Sequence, residues 1–170
     1  MKRITAVLLC FAVLFYSSIS LGAGSDSKAD GEEPSVSALS AILYAPDSGT
    51  IIYEKDSHTS RPIASITKIM TALLAFEAAE SKDVEVKFTA AMQAEGSSMY
   101  LENGEILKLS EVAKGMMMVS GNDAANAIAI TLGGSTEGFA KLMNQKAELL
   151  GMKDTHFVTP SGLDDEEHYS

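Results

Sequence analysis

The sequence predicts a mixed α/β chain of the α+β kind, an antiparallel hairpin followed by a series of helices. Three observations carry this reading. Two β-like runs, residues 38–44 and 50–54, flank the turn-former cluster "APDSG", which is the signature of a hairpin. From Ser65 the apolar period lengthens to helical spacing, with Ile66, Ile69, Met70, Leu73, Leu74 and Phe76 falling largely on one stripe up to about Glu80. Beyond residue 109, apolar helical stretches alternate with the breakers "SGN" and Gly133-Gly134.

The chain opens with Lys2 and Arg3, a nearly unbroken apolar run to Phe15 and then small residues. A basic start, a short apolar stretch and a small-residue exit predict a secretory signal peptide over residues 1–23, cleaved between Ser20 and Gly24. The competing reading is an uncleaved membrane anchor, although the run is short for a spanning helix. Cys10 lies inside this leader, so the remaining chain carries no cysteine and no disulfide. A lipid-anchored Cys10 is disfavoured, because Leu9 precedes it where a small residue is wanted. Residues 24–35, "GSDSKADGEEPS", have the polar, acidic composition of a linker. The folded portion is then residues 36–170, one domain by length.

After the first helix, residues 84–109 are mixed, with a turn at "ENGE" and strand-like pieces beside it. Ser110 is the expected cap of a helix through "EVAKGMMMV"; a second helix follows in "DAANAIAITL". Ser135 or Thr136 caps a third, whose Phe139, Leu142, Met143, Ala147 and Leu150 share a face and whose end is marked by Gly151. The methionines at 116, 117 and 118 read as adaptable core filling.

With 13 basic against 23 acidic residues and a formal charge of −10, no basic face is on offer, which argues against a nucleic-acid partner. His58, His156 and His168 lack zinc-ligand spacing and read as surface or internally satisfied residues; "DDEEH" reads as a solvated loop. No G-x-S-x-G element is present.

The stretch that carries chemistry is "RPIASITKIM". Ser65 and Lys68 form S-x-x-K at the mouth of an amphipathic helix, where positions i and i+3 share a face and the amine can reach the hydroxyl. The same spacing at Ser25 and Lys28 falls in the linker, so spacing alone is weak evidence. A lysine acts as base only when neutral, so its pKa must fall well below the ordinary value of about 10.4, through burial or a second cation. The plainer alternative makes Ser65 a helix cap and Lys68 a solvated first-turn residue, although a lysine is unfavourable at that end. "VSGND" then places Ser120 and Asn122 at a break between two apolar helices, either as caps or as polar groups delivered to a cleft.

"ASITK" followed about fifty residues later by "VSGND" resembles the penicillin-binding, serine-type D-alanyl-D-alanine carboxypeptidases of bacteria, the peptidase S11 family. The flanks "SAILYAPDSGTIIYEKD", "GSSMYLENGE" and "GFAKLMNQKAELLGMKDTHFVTPSGLDDEEHYS" extend the likeness over residues 36–170. The resemblance implies a β-lactamase/transpeptidase-like fold, an antiparallel sheet flanked by helices plus a helical subdomain. It implies Ser65 as the nucleophile, Lys68 as its base, Ser120 as a proton relay to the leaving amine and Asn122 as a substrate-orienting residue. It implies a peptidoglycan stem peptide ending in D-Ala-D-Ala as substrate, β-lactams as covalent inhibitors, no metal and no cofactor. An extracytoplasmic location follows, with membrane association through the leader or a missing C-terminal anchor.

Two departures stand out. The middle residue of the second element is Gly121, where S-D-N is the superfamily form. No K-T-G or H-T-G occurs, so the strand that supplies a substrate-binding lysine and an oxyanion donor is absent; losing one such donor costs roughly 100- to 1000-fold in rate. The expectation is therefore a truncated chain that keeps the nucleophile half of the site and lacks the C-terminal strands. Two competing readings are a class A β-lactamase, which would call for an E-x-x-L-N context that is missing, and a secreted, non-catalytic wall-binding module.

Overall fold

The computed structural model describes residues 34–163 and 165–170. The expected leader, with Cys10, and residues 24–33 of the linker lie outside the described residues. Strands β1 (Ala41–Ala45) and β2 (Thr50–Lys55) pair antiparallel, with a bulge between Leu43 and Tyr44 and Gly49 at φ +68° in the turn. Positive φ there is open to glycine without a Cβ penalty. The hairpin starts three residues later than the β-rich composition suggested. Its Ile42, Leu43, Tyr44, Ile51 and Ile52 are all exposed. A two-stranded ribbon is marginal by itself, and polar ties hold its base. Arg61 Nε donates to Ser40 Oγ at 2.6 Å, and Ser40 Oγ donates to the Asp56 carbonyl at 2.8 Å.

A second antiparallel pair joins β3 (Glu85–Lys87) to β4 (Ile106–Lys108), extended by Phe88 N–H to the Glu105 carbonyl at 2.8 Å. Among the described residues there are four α-helices: α1 (Lys68–Ser81), α2 (Leu109–Val119), α3 (Asn122–Gly133) and α4 (Thr136–Leu149). Helix α3 packs against the other three. Its "AANAIA" run explains this, since small side chains let neighbouring backbones come close while Ile128 fills the remaining space, fully buried beside Met116, Phe139 and Met143. Burial of each such large side chain stabilises by about 1.5–3 kcal/mol.

The helix ends follow the sequence in part. Ser135 caps α4 by accepting Gly138 N–H at 3.0 Å, and Gly134 (φ +74°) and Gly151 (φ +74°) sit where α3 and α4 end. Ser110 does not cap α2. The cap is Lys108, whose N–H is taken by Glu111 at 2.9 Å, while the N–H and hydroxyl of Ser110 both donate to Asp83, at 3.0 and 2.8 Å. An acid outside the helix out-competed the local bond. The methionine triplet also divides, Met116 buried but Met117 and Met118 exposed. Successive helical residues point about 100° apart, so one core face accepts only one of three in a row. Ile66 and Ile69 are likewise exposed rather than on the buried stripe.

Candidate active site

Ser65 sits in a 3₁₀ turn, Ala64–Thr67, that leads directly into α1, so the chain tightens before it becomes α-helical. Ala64 adopts φ +44°. That left-handed conformation costs a non-glycine residue roughly 1–2 kcal/mol, and it lies immediately before the expected nucleophile. Ser65 makes no capping bond; neither the 3₁₀ turn nor α1 has a side-chain cap. The capping alternative therefore fails here.

Lys68 Nζ donates to Ser65 Oγ at 3.1 Å and to the Ser161 carbonyl at 2.8 Å. The lysine is 2% exposed, and among the described residues it makes no ion pair. Burial without a counter-ion penalises the ammonium and pushes the amine's pKa below the ordinary lysine range. The local apolar sequence achieves this by placing Lys68 in the first turn of α1, where Met70, Thr71 and Ala72 are buried as well.

The floor beneath this pair comes from a segment whose role the sequence did not signal. The Pro160 carbonyl accepts from Thr71 Oγ1 at 2.6 Å. Gly162, at φ +80°, lies so close that a Cβ there would run into the Ala64 carbonyl and stand 2.7 Å from Thr67 Oγ1. His168 is buried, with Nε2 2.7 Å from Thr67 Oγ1, and its Nδ1 accepts the N–H groups of Val158 and Thr159 at 3.0 and 3.3 Å. Of the two expected alternatives, surface or internally satisfied, His168 takes the second, and its place beneath the serine turn has no signal in the sequence.

The second element is built at the α2–α3 break. Ser120 ends α2 in the left-handed conformation, φ +57°. Asn122 opens α3; its N–H donates to the Ser97 carbonyl at 2.7 Å and its Nδ2 to the Glu95 carbonyl at 2.6 Å. The amide keeps its carbonyl oxygen and its second N–H for other partners. Among the described residues, neither Ser120 nor Asn122 hydrogen-bonds to Ser65 or Lys68.

Asp123, which sequence reasoning passed over, is the anchor of this break. It is buried, and its carboxylate accepts from Met99 N and Ala124 N at 2.8 Å, Ser98 Oγ at 2.8 Å and Leu101 N at 3.2 Å. Gly121 is explained by the same packing, because a Cβ there would stand 2.9 Å from Asp123 Oδ1 and 3.0 Å from Met99 N. The departure from S-D-N is thus a steric match to the loop at residues 97–101.

Fold and site together hold the Ser65 hydroxyl against the buried Lys68 amine at a helix mouth, an amine that makes no ion pair among the described residues. The comparisons make this specific. Residues 27–170 match the family model "Peptidase_S11: D-alanyl-D-alanine carboxypeptidase", and the chain belongs to that family. It is 39% identical over 175 residues to D-alanyl-D-alanine carboxypeptidase DacF of Bacillus subtilis, covering 100% of this chain and 45% of that protein. It is 35% identical to DacA of Escherichia coli K12, covering 81% and 37% of the two chains. The chain thus spans less than half the length of these curated relatives. Among solved structures it resembles D-alanyl-D-alanine carboxypeptidase DacD of Francisella tularensis, with a TM-score of 0.74, 36% identity and coverage of 81% of this chain and 34% of that one. It also resembles penicillin binding protein 5 of Haemophilus influenzae, with a TM-score of 0.75, 28% identity and coverage of 82% and 43%. The fold class expected from sequence is borne out by these neighbours.

Proposed function

We propose that the protein carries the acylation machinery of a penicillin-sensitive serine D-Ala-D-Ala carboxypeptidase acting on peptidoglycan stem peptides outside the cytoplasm. The observation that carries this reading is the buried Lys68 amine, 3.1 Å from Ser65 Oγ with no carboxylate paired to it among the described residues. A neutral amine there takes the hydroxyl proton as Ser65 Oγ attacks the carbonyl of the penultimate D-alanine. The Ser161 carbonyl, at 2.8 Å, fixes one N–H of the amine and so aims its lone pair. Ser120 relays that proton from the Lys68 ammonium to the departing D-alanine nitrogen, so both groups return to their starting state, and Asn122 orients the peptide through its carbonyl oxygen. Water then cleaves the Ser65 ester, releasing the shortened peptide and restoring the hydroxyl. A β-lactam enters by the same attack, with its ring C–N bond as the one broken. Membrane association through the leader or a C-terminal anchor belongs to this proposal too; among the described residues no helix is long and apolar enough to cross a membrane.

The test is labelling of the full chain with a fluorescent penicillin. Expected is a covalent adduct on Ser65, abolished in Ser65→Ala and strongly slowed in Lys68→Met. An adduct that persists in Ser65→Ala would overturn the assignment.

A further inference from the structure

The serine turn and the segment beneath it are joined by one side chain that the proton route above does not use. His168 Nδ1 accepts two backbone N–H groups, from Val158 and Thr159, so this nitrogen carries no hydrogen. Its Nε2 therefore bears the proton and donates to Thr67 Oγ1 at 2.7 Å. Thr67 lies between Ser65 and Lys68 in the turn, and Val158 and Thr159 lead into Pro160 and Ser161, whose carbonyls hold Thr71 and Lys68. The imidazole thus spans the two halves of the lysine's cradle. Its ring and that of Phe157 form a T-shaped pair with centroids 5.7 Å apart, a contact that restricts ring rotation.

We propose that His168 is a positioning residue for the acylation step: the neutral imidazole, through Thr67, holds the Lys68 amine buried between Ser65 Oγ and the Ser161 carbonyl. This rests on the reading of Ser65 and Lys68 given above. Burial keeps the imidazole neutral by lowering its pKa, partly opposed by the Asp165 carboxylate and reinforced by His156. Arg61, Lys153, Asp154 and Glu166 border the same recess from outside. An imidazolium would turn Nδ1–H against two N–H donors, so the bridge exists only in the neutral form.

Thr67→Val and Thr67→Ser in the full chain are the direct test, since valine keeps the shape and removes the acceptor while serine restores it. His168→Gln is the third variant, because its amide retains a donor toward Thr67. Displacing a reacting group by about 1 Å costs up to roughly 100-fold in rate. The rate of acylation by a fluorescent penicillin should thus fall about 10- to 100-fold in Thr67→Val and recover in Thr67→Ser and, in part, in His168→Gln. The acid limb of the rate profile should move to higher pH in Thr67→Val, because a loosened amine is better hydrated. The Lys68 titration midpoint, followed by the ¹³Cε chemical shift, reads the same change without any acylation, so it decides the matter even if the full chain takes no penicillin. A midpoint in Thr67→Val equal to that of the parent would overturn the proposal. So would a rate loss that tracks lowered melting temperature with an unmoved acid limb. Labelling that survives Ser65→Ala would instead sink the underlying assignment, a separate outcome.

Discussion

Replacing Asp123 with alanine tests what holds the second half of the site together. The wild-type carboxylate is 3% exposed and takes four hydrogen bonds, three from backbone N–H groups of Met99, Leu101 and Ala124 and one from Ser98 Oγ. A hydrogen bond to a charged group contributes about 1.5–3 kcal/mol net, and each buried donor left unpaired costs about 1–3 kcal/mol. Four such bonds do not add, since water reaches part of the vacated space and the loop relaxes. A loss of about 3–5 kcal/mol is the reasonable figure, against a total stability of about 5–15 kcal/mol for a domain. The pH dependence supplies a second, independent reading. Desolvation raises the Asp123 pKa, but the bonds from Met99, Ser98, Leu101 and Ala124 together outweigh it and the net displacement is downward. A carboxylate depressed in the folded state stabilises above its unfolded value of about 3.9 and loses that contribution as pH falls through its folded value. Urea unfolding of the full chain at pH 7 and at a series of pH values below 4 measures both effects. Wild type should lose stability steeply with acid, while Asp123→Ala starts lower and has a shallower acid slope. A loss below about 1 kcal/mol, the worth of one ordinary neutral hydrogen bond, with an unchanged slope, would refute the anchoring role.

The other predictions concern single groups of the two site elements. Lys68→Met should flatten the alkaline side of the stability profile. The lowered lysine pKa means the unfolded chain binds more protons than the native one between the folded value and about 10.4, so wild type gains stability with rising pH across that window and the variant does not. Parallel urea profiles for the two proteins would contradict a buried, readily neutralised amine. Gly121→Ala should cost about 1–3 kcal/mol, the usual penalty of overpacking, because its Cβ meets Met99 N at 3.0 Å and Asp123 Oδ1 at 2.9 Å; an unchanged melting temperature would count against that contact. Ser120→Gly should gain roughly 1 kcal/mol by relieving the left-handed φ of +57° while slowing penicillin acylation, a trade of stability against function that thermal melts and labelling rates measure on one sample. A stable variant that acylates at the wild-type rate would remove Ser120 from the proton route.

Much of the architecture was legible because it is written in short-range pattern. The hairpin showed in "APDSG", the α3 and α4 limits showed in Gly133, Gly134, Ser135 and Gly151, and the Ser65–Lys68 pair showed because helical spacing brings i and i+3 together. What failed to show depends on long-range partners. The choice of Lys108 over Ser110 as cap is decided by Asp83, twenty-seven residues before the serine. The exposure of Met117 and Met118 depends on which side of α2 meets α1 and α3, which a triplet of identical residues cannot encode.

The site follows the same division, and for a physical reason. A nucleophile and its base can be local, since one turn of helix supplies their geometry. The environment that strips a lysine of its proton cannot be local, because desolvation needs chain from elsewhere packed over the amine. Here that chain arrives ninety-three residues later as Ser161, with the His168 bridge 101 residues from Thr67. The close approach of Gly162 to Ala64 then explains why a glycine follows the carbonyl that receives the amine. Any larger residue would push the 160–162 segment off the serine turn and admit water to Lys68, so Gly162 contributes to the amine's burial. The role proposed for S-x-x-K in this chain therefore depends on "TPSGL" as much as on "SITK", which is why the identical spacing at Ser25 and Lys28 carries no weight by itself.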